Sequence, residues 1–134
     1  GKTVFTTGSA AEQAQVTLNA DGRGHFLTVG SVNGAAVRFL VDTGASMVSL
    51  GAADAARANI DYRKGEPGMT QTANGAAPVW RVKLNTVRIG DVVLRDVDAL
   101  VHGSDMPFAL LGMSFLRQME IKNEGTQMTL RRRY

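Results

Sequence analysis

The sequence predicts an all-β domain, a closed barrel or sandwich with one or two short helices. Three observations carry this. Fifteen of the 134 residues are glycine and only 6% are aromatic, a composition suited to many turns. The apolar runs are short and are separated by turn pairs such as Asp21-Gly22, Asn33-Gly34 and Gly90-Asp91. Only one stretch, the alanine-rich GAADAARANI after Leu50, reads convincingly as helix in the first half. With 44% apolar residues the chain can fill one core, so a single domain is expected.

Residues 1–14, small and polar, read as a flexible lead-in, and residues 15–134 as the domain. Order is expected to begin with the alternating strand Gln15–Asn19. After the Asp21-Gly22 turn, residues 25–29 run back, and Asn33-Gly34 is the pair preferred in a two-residue hairpin leading into residues 36–41. Residues 48–50 form the next strand and the alanine-rich helix follows. Gly65, Pro67 and Gly68 mark residues 62–68 as loop. Residues 69–73 and 79–84 are extended arms around Asn74-Gly75. Residues 87–89 and 92–94 form a hairpin around Gly90-Asp91, and 97–101 is a further strand. Residues 113–119 read as a short amphipathic helix. Residues 120–122 and 127–130, with a turn at 123–125, close the chain as a hairpin.

Charge and composition narrow the functions. The net charge is +3, but the basic residues are scattered except for Arg131–Arg133. No aromatic-rich strand accompanies that cluster, so it reads as a solvated tail rather than a nucleic-acid surface. If it did bind nucleic acid, affinity would fall steeply with salt. Absence of cysteine excludes disulfides and thiolate chemistry. His25 and His102 are far apart and show no partners, so no metal or other cofactor is expected. No apolar run reaches the length of a membrane span, and an anchor or signal preceding Gly1 is left open. Met69, Met106, Met113, Met119 and Met128 read as core filler. Trp80 fits a substrate pocket as well as a core or dimer contact.

The chemistry centres on Phe39–Leu50, FLVDTGASMVSL. An apolar strand delivers Asp42 into a Thr-Gly-Ala-Ser turn, and Val48–Leu50 leads away. A carboxylate at the end of a buried apolar run is costly unless it is hydrogen-bonded or has a task. Thr43 supplies a hydroxyl that can tie down the loop, and Gly44 allows close approach of backbone.

From about His25 to Leu130 the chain resembles the single-domain, retropepsin-like aspartic proteases of bacteria. The match rests on VRFLVDTGAS (residues 37–46), the flap-like TANGA (72–76) and ALLGMSFL (109–116), in the family's order. The resemblance implies a retropepsin-like closed β-barrel, one half of a two-fold symmetric aspartic protease. In that chemistry two carboxylates share one proton. One draws a proton from water while the other polarises the scissile carbonyl. Only one Asp-Thr-Gly occurs here, so the second Asp42 is expected from another copy across a two-fold axis.

The resemblance also implies residue roles. Asp42 is the catalytic carboxylate. Thr43 bonds across the dimer axis, and Gly44 offers its carbonyl to the substrate backbone. Ala45 and Ser46 line the cleft, and Ala73, Asn74 and Gly75 form a flap tip over it. Many two-domain relatives carry a hydroxyl where this chain has Ala45, so activity reaching less acidic pH than in pepsin-like enzymes is expected. Ser46 departs from the acidic residue that many viral members carry nearby. The expected partners are a second copy of the chain and an extended peptide substrate, with apolar residues flanking the cut. Family members are often held at the bacterial inner membrane by an N-terminal segment, with the catalytic domain in the periplasm. The competing function is a binding or assembly module that keeps the barrel with weak catalysis. The intact Asp42-Thr43-Gly44 argues against it.

Overall fold

The computed structural model describes residues 14–133, so the expected lead-in, apart from Ala14, lies outside the described residues. In chain order the elements are β1 (Gln15–Asn19), β2 (Leu27–Val32), β3 (Ala35–Val41), β4 (Val48–Leu50) and α1 (Ala52–Arg57). A short 3₁₀ helix (Tyr62–Lys64), β5 (Glu66–Thr72), β6 (Gly75–Ile89) and β7 (Val92–His102) follow. The chain closes with β8 (Ala109–Leu111), α2 (Met113–Leu116), β9 (Met119–Glu124) and β10 (Gln127–Arg132).

Strands β2-β3-β8-β4-β7-β6 form a ring, closed by the β2–β6 pairs Ser31↔Arg88 and Val32↔Val87. The expected barrel-or-sandwich alternative thus resolves as a closed barrel. Pairing is antiparallel except for β3–β8 and β4–β7, which are parallel. Closure depends on a missing side chain. A Cβ at Gly30 would run into the Arg88 carbonyl oxygen and lie 2.6 Å from the Ile89 Cδ1. The Asn33-Gly34 hairpin forms as expected, with φ of 50° and 86°, the left-handed pair whose twist matches the flanking strands.

Phe39, Leu50, Leu84, Ile89, Leu111 and Phe115 are fully buried and fill the barrel. β6 and β7 are each one continuous strand, where the sequence reading divided them. Their ladder skips only the Asn85–Asp96 position, and Asp96 takes φ 56° there. Leu94 and Val97 are both buried on either side of that point. The kink therefore switches the inward face by one residue, which breaks the sequence alternation without breaking the strand.

Other boundaries shift for local reasons. The loop expected at 62–68 is a 3₁₀ helix followed by β5. As an edge strand β5 tolerates Pro67, which has no N–H to donate. The helix expected over 113–119 stops at Leu116, because Met119 pairs with Arg132 in the β9–β10 ladder. β1 pairs with β10 rather than running back against β2, which it touches only near the Ala20↔Phe26 bridge. Arg131–Arg133 is not a solvated tail. Arg131 is in β10 and pairs with Glu120, and the Arg133 Nε donates to the Met119 carbonyl at 2.9 Å. Ala14 is also engaged, its carbonyl accepting the Arg132 N–H at 3.1 Å. Of the methionines expected in the core only Met119 and Met128 are buried, while Met69 is 66% exposed.

His102 ends β7 half-buried, and desolvation holds its imidazole below the ordinary value of 6.5. The unfolded chain therefore binds this proton at a higher pH than the folded one. Its contribution to stability is present above about pH 6.5 and is lost as pH falls through the lower folded value. Replacing His102 by Gln is expected to flatten the fall in urea midpoint between pH 7 and 5.

Candidate active site

The Asp42 loop is held by backbone hydrogen bonds at each step. The Val41 N–H donates to the Phe26 carbonyl at 2.9 Å, and the Asp42 N–H to the Leu111 carbonyl at 3.1 Å. A turn follows, with the Ala45 N–H donating to the Asp42 carbonyl at 3.2 Å. The Gly44 N–H donates to the Asp42 Oδ1 at 2.9 Å, so the carboxylate is engaged by its own loop. Among the described residues that is its only hydrogen bond, and it forms no ion pair. Asp42 is half-buried, and Thr43, Gly44 and Ser46 face outward.

The segment after β8 braces this loop. The Met113 N–H donates to the Ala45 carbonyl at 2.8 Å. Gly112 lies so close that a Cβ there would press on the Met47 carbonyl oxygen and sit 2.8 Å from the Ala45 carbonyl oxygen. Next to it Ser114, buried, accepts the Val48 N–H at 2.9 Å and donates to the Asp98 carbonyl at 2.6 Å. One hydroxyl thus ties β4, α2 and β7 together just beyond the loop.

Thr43, Gly44, Ala45 and Ser46 line one shallow hollow with Met113 and Arg117. Four of the expected site residues therefore share a surface, and Asp42, next to Thr43 in the loop, is not among its lining residues. Ala73, Asn74 and Gly75 are elsewhere, at the tip of the β5–β6 hairpin. The tip is ordered by the Thr72 hydroxyl, which donates to the Gly75 carbonyl at 2.7 Å and accepts the Asn74 N–H at 3.2 Å. β7 supports β6 only from Val79 onward, so the stretch from Met69 to Pro78 is a free two-stranded hairpin. Trp80 lies at its base, edge-on to Tyr62 with ring centroids 5.1 Å apart, and lines none of the hollow.

Two residues escaped the sequence reading. Ser114 left a trace, a lone hydroxyl in the apolar stretch ALLGMSFL. Arg117 left none, because its place beside the loop follows from the turn of α2; its Nε donates to the Met113 carbonyl at 3.0 Å. Among the described residues no group of three or more His, Asp or Glu side chains is placed to hold a metal ion.

A closed barrel that displays one Asp-Thr-Gly loop, braced from beneath by a glycine-led helical turn, defines a retropepsin-like aspartic protease fold. The family model for gag-polyprotein putative aspartyl protease matches residues 28–118, and the chain belongs to that family. It is 36% identical over 123 residues to an uncharacterised protein in the cobV 5' region of Sinorhizobium sp., covering 90% of this chain and 52% of that protein. It is 32% identical over 112 residues to an uncharacterised protein of Rickettsia prowazekii (strain Madrid E), covering 83% and 48%. The chain thus spans about half the length of these curated relatives. Among solved structures it is similar to a retropepsin-like aspartic protease from Rickettsia conorii. That match has TM-score 0.78 and 29% identity, and covers 90% of this chain and 92% of the other. It shares the fold of EIAV protease in complex with the inhibitor HBY-793, with TM-score 0.56 and 23% identity, covering 68% and 84%. The expectation of a bacterial retropepsin-like protease barrel is met.

Ser114→Ala removes a buried donor and acceptor and leaves the Val48 N–H and Asp98 carbonyl without their partner. We expect a loss of about 1–3 kcal/mol in unfolding free energy, read by urea denaturation.

Proposed function

We propose that the chain is an aspartic endopeptidase active as a homodimer, with the two Asp42 carboxylates meeting across a two-fold axis. The observation that supports this most is the state of Asp42. Its loop is built, braced and displayed, yet among the described residues no carboxylate lines the adjoining hollow, and the Asp42 carboxylate bonds only the Gly44 N–H of its own loop. A fold that holds one acid on a rigid outward loop is half of a two-acid device, and a two-fold axis is the simplest way to complete it.

In this reading the two carboxylates share one proton, because like charges about 3 Å apart resist joint ionisation. The ionised Asp42 takes a proton from water as its oxygen attacks the scissile carbonyl carbon. The protonated Asp42 hydrogen-bonds the carbonyl oxygen and gives it the proton. The tetrahedral diol then collapses: the C–N bond breaks and the amine leaves with the proton that one acid took from water. A diol hydroxyl gives its proton to the other acid as the carboxyl product forms. Thr43 holds the two loops to each other and Gly44 receives the substrate backbone. Ala45 and Ser46 line the cleft, and the tip at Ala73, Asn74 and Gly75 closes over the extended peptide. Pockets lined by Val, Leu, Ile and Met would take apolar residues beside the cut. Periplasmic placement through an N-terminal tether belongs to the same proposal and rests on resemblance; fractionation of cells making the full-length protein is its test.

The decisive assay is cleavage of a mixed peptide library over a range of pH and protein concentration. Asp42→Asn keeps an oxygen for the Gly44 N–H and is expected to fold, yet to lose at least about 10³-fold in kcat/KM. Specific activity of the wild type is expected to rise as dimer forms. If both proteins are inert where a dimer is present, the chain is a binding module instead.

The same assay tests Ala45. Ala45→Thr places a hydroxyl beside the acid pair, which favours the ionised form. The acidic limb of its pH–rate profile is expected to move to lower pH than in the wild type. A wild-type profile confined below about pH 3 contradicts the assigned role of Ala45.

A further inference from the structure

The outer face of the barrel beside the Asp42 loop holds a feature that the catalytic reading does not use. Along β3, Val37 and Phe39 point inward and are buried, so Arg38 and Leu40 share the opposite face and lead up to Asp42. Register places neighbours on that face. Leu40 is opposite Leu27 of β2 and beside Leu110 of β8. One step further from Asp42, Arg38 is opposite Val29, and its guanidinium carbon lies 4.8 Å from the centroid of the Phe108 ring. One apolar row, Leu27, Leu40 and Leu110, therefore lies between Asp42 and a cation placed over an aromatic ring.

Leu27, Thr28, Val29, Arg38, Phe39 and Phe108 enclose a small hollow here. Val29 is 66% exposed, a large apolar side chain left open to solvent at its rim. Among the described residues Arg38 makes no ion pair and no side-chain hydrogen bond. Arg38 also lines the adjoining hollow, whose two carboxylates have partners other than Arg38. Asp54 pairs with Arg57, and the Asp105 Oδ1 accepts the Ala53 N–H at 2.9 Å. The Phe108 ring holds the guanidinium in place, and its N–H donors, with no partner among the described residues, suit a carboxylate.

We propose that Arg38 and Phe108 form a specificity subsite for an acidic side chain of the peptide substrate. Arg38 precedes Asp42 by four residues, about 13 Å at the rise of an extended strand. A peptide extended along this face has the same rise, so the acid belongs three or four residues from the scissile bond. Apolar side chains between it and the bond cover Leu27, Leu40 and Leu110. Arg38 does not touch the reacting atoms; it selects and positions the substrate. This inference rests on the endopeptidase reading, and its test separates the two.

The test uses peptides that differ only at the residue three or four positions from the cut, which is Glu, Gln or Lys. For the wild type, kcat/KM is expected to fall in the order Glu, Gln, Lys, by about fivefold per step at low salt, with the change carried by KM. Arg38→Gln removes the preference and Arg38→Glu reverses it. Each readout is a ratio between peptides on one protein, so it does not depend on how much of a variant is folded. Equal rates for the three peptides on the wild type, or an order unchanged in Arg38→Glu, overturn the subsite. If no peptide is cut where dimer forms, the same peptides are titrated by calorimetry against Asp42→Asn with and without Arg38→Glu. A preference for Glu that reverses upholds the subsite while the protease reading fails; no preference overturns the subsite as well.

Discussion

Backbone crowding at Gly112 decides where the Asp42 loop sits. The chain passes so close beneath Met47 and Ala45 that no side chain fits between them, and the Met113 N–H then reaches the Ala45 carbonyl at 2.8 Å. That contact sets the distance between the end of β8 and the turn carrying the carboxylate. Ser114 continues the same seam, bonding the neighbouring strands β4 and β7 from α2. The pieces that look independent in sequence, an Asp-Thr-Gly turn and an apolar stretch some seventy residues later, are thus one mechanical unit.

The unit also explains the barrel's unusual pairing. β3 and β8 run parallel, as do β4 and β7, while β4 and β8 meet antiparallel at Ser49↔Leu110. The loop at Asp42 is the connection from β3 to β4, on either side of β8. Strands buried on their inner faces fix both its ends, so the turn is displayed outward without the chain having to stiffen it by composition. Rigid support beneath and an exposed surface above suit a group that must meet another copy or a substrate.

Much of this was legible in the chain. Asn33-Gly34 and Gly90-Asp91 announce their turns, because few residue pairs adopt the dihedrals those turns need. Asp42-Thr43-Gly44 stands out for being polar where the flanks are apolar. What escaped reading has physical causes. The kink at Asn85 and Asp96 shifts the inward face by one residue, so periodicity reported four short strands where there are two long ones. Arg131 and Arg132 looked like solvent-borne charge, but β10 takes them up because the adjoining β9 and β1, from the far end of the sequence, supply ladder partners. Arg117 and the Arg38–Phe108 stack arise only when separate segments meet, and no local pattern encodes them.

Trp80 gives the fold a property of another kind. It is the only tryptophan in the chain, placed where β6 gains β7 as a neighbour and the free hairpin begins. Its indole meets the edge of Tyr62, has Arg63 5.9 Å from its ring centroid, and packs over Gly103. Indole emission responds to nearby charge and polarity, and here a single fluorophore sits among a cation and a phenol at the hairpin's root. Tilting of that hairpin against the 3₁₀ helix alters the surroundings of this ring and of Tyr62 against it. The unlabelled protein is therefore its own optical gauge of how the hairpin stands.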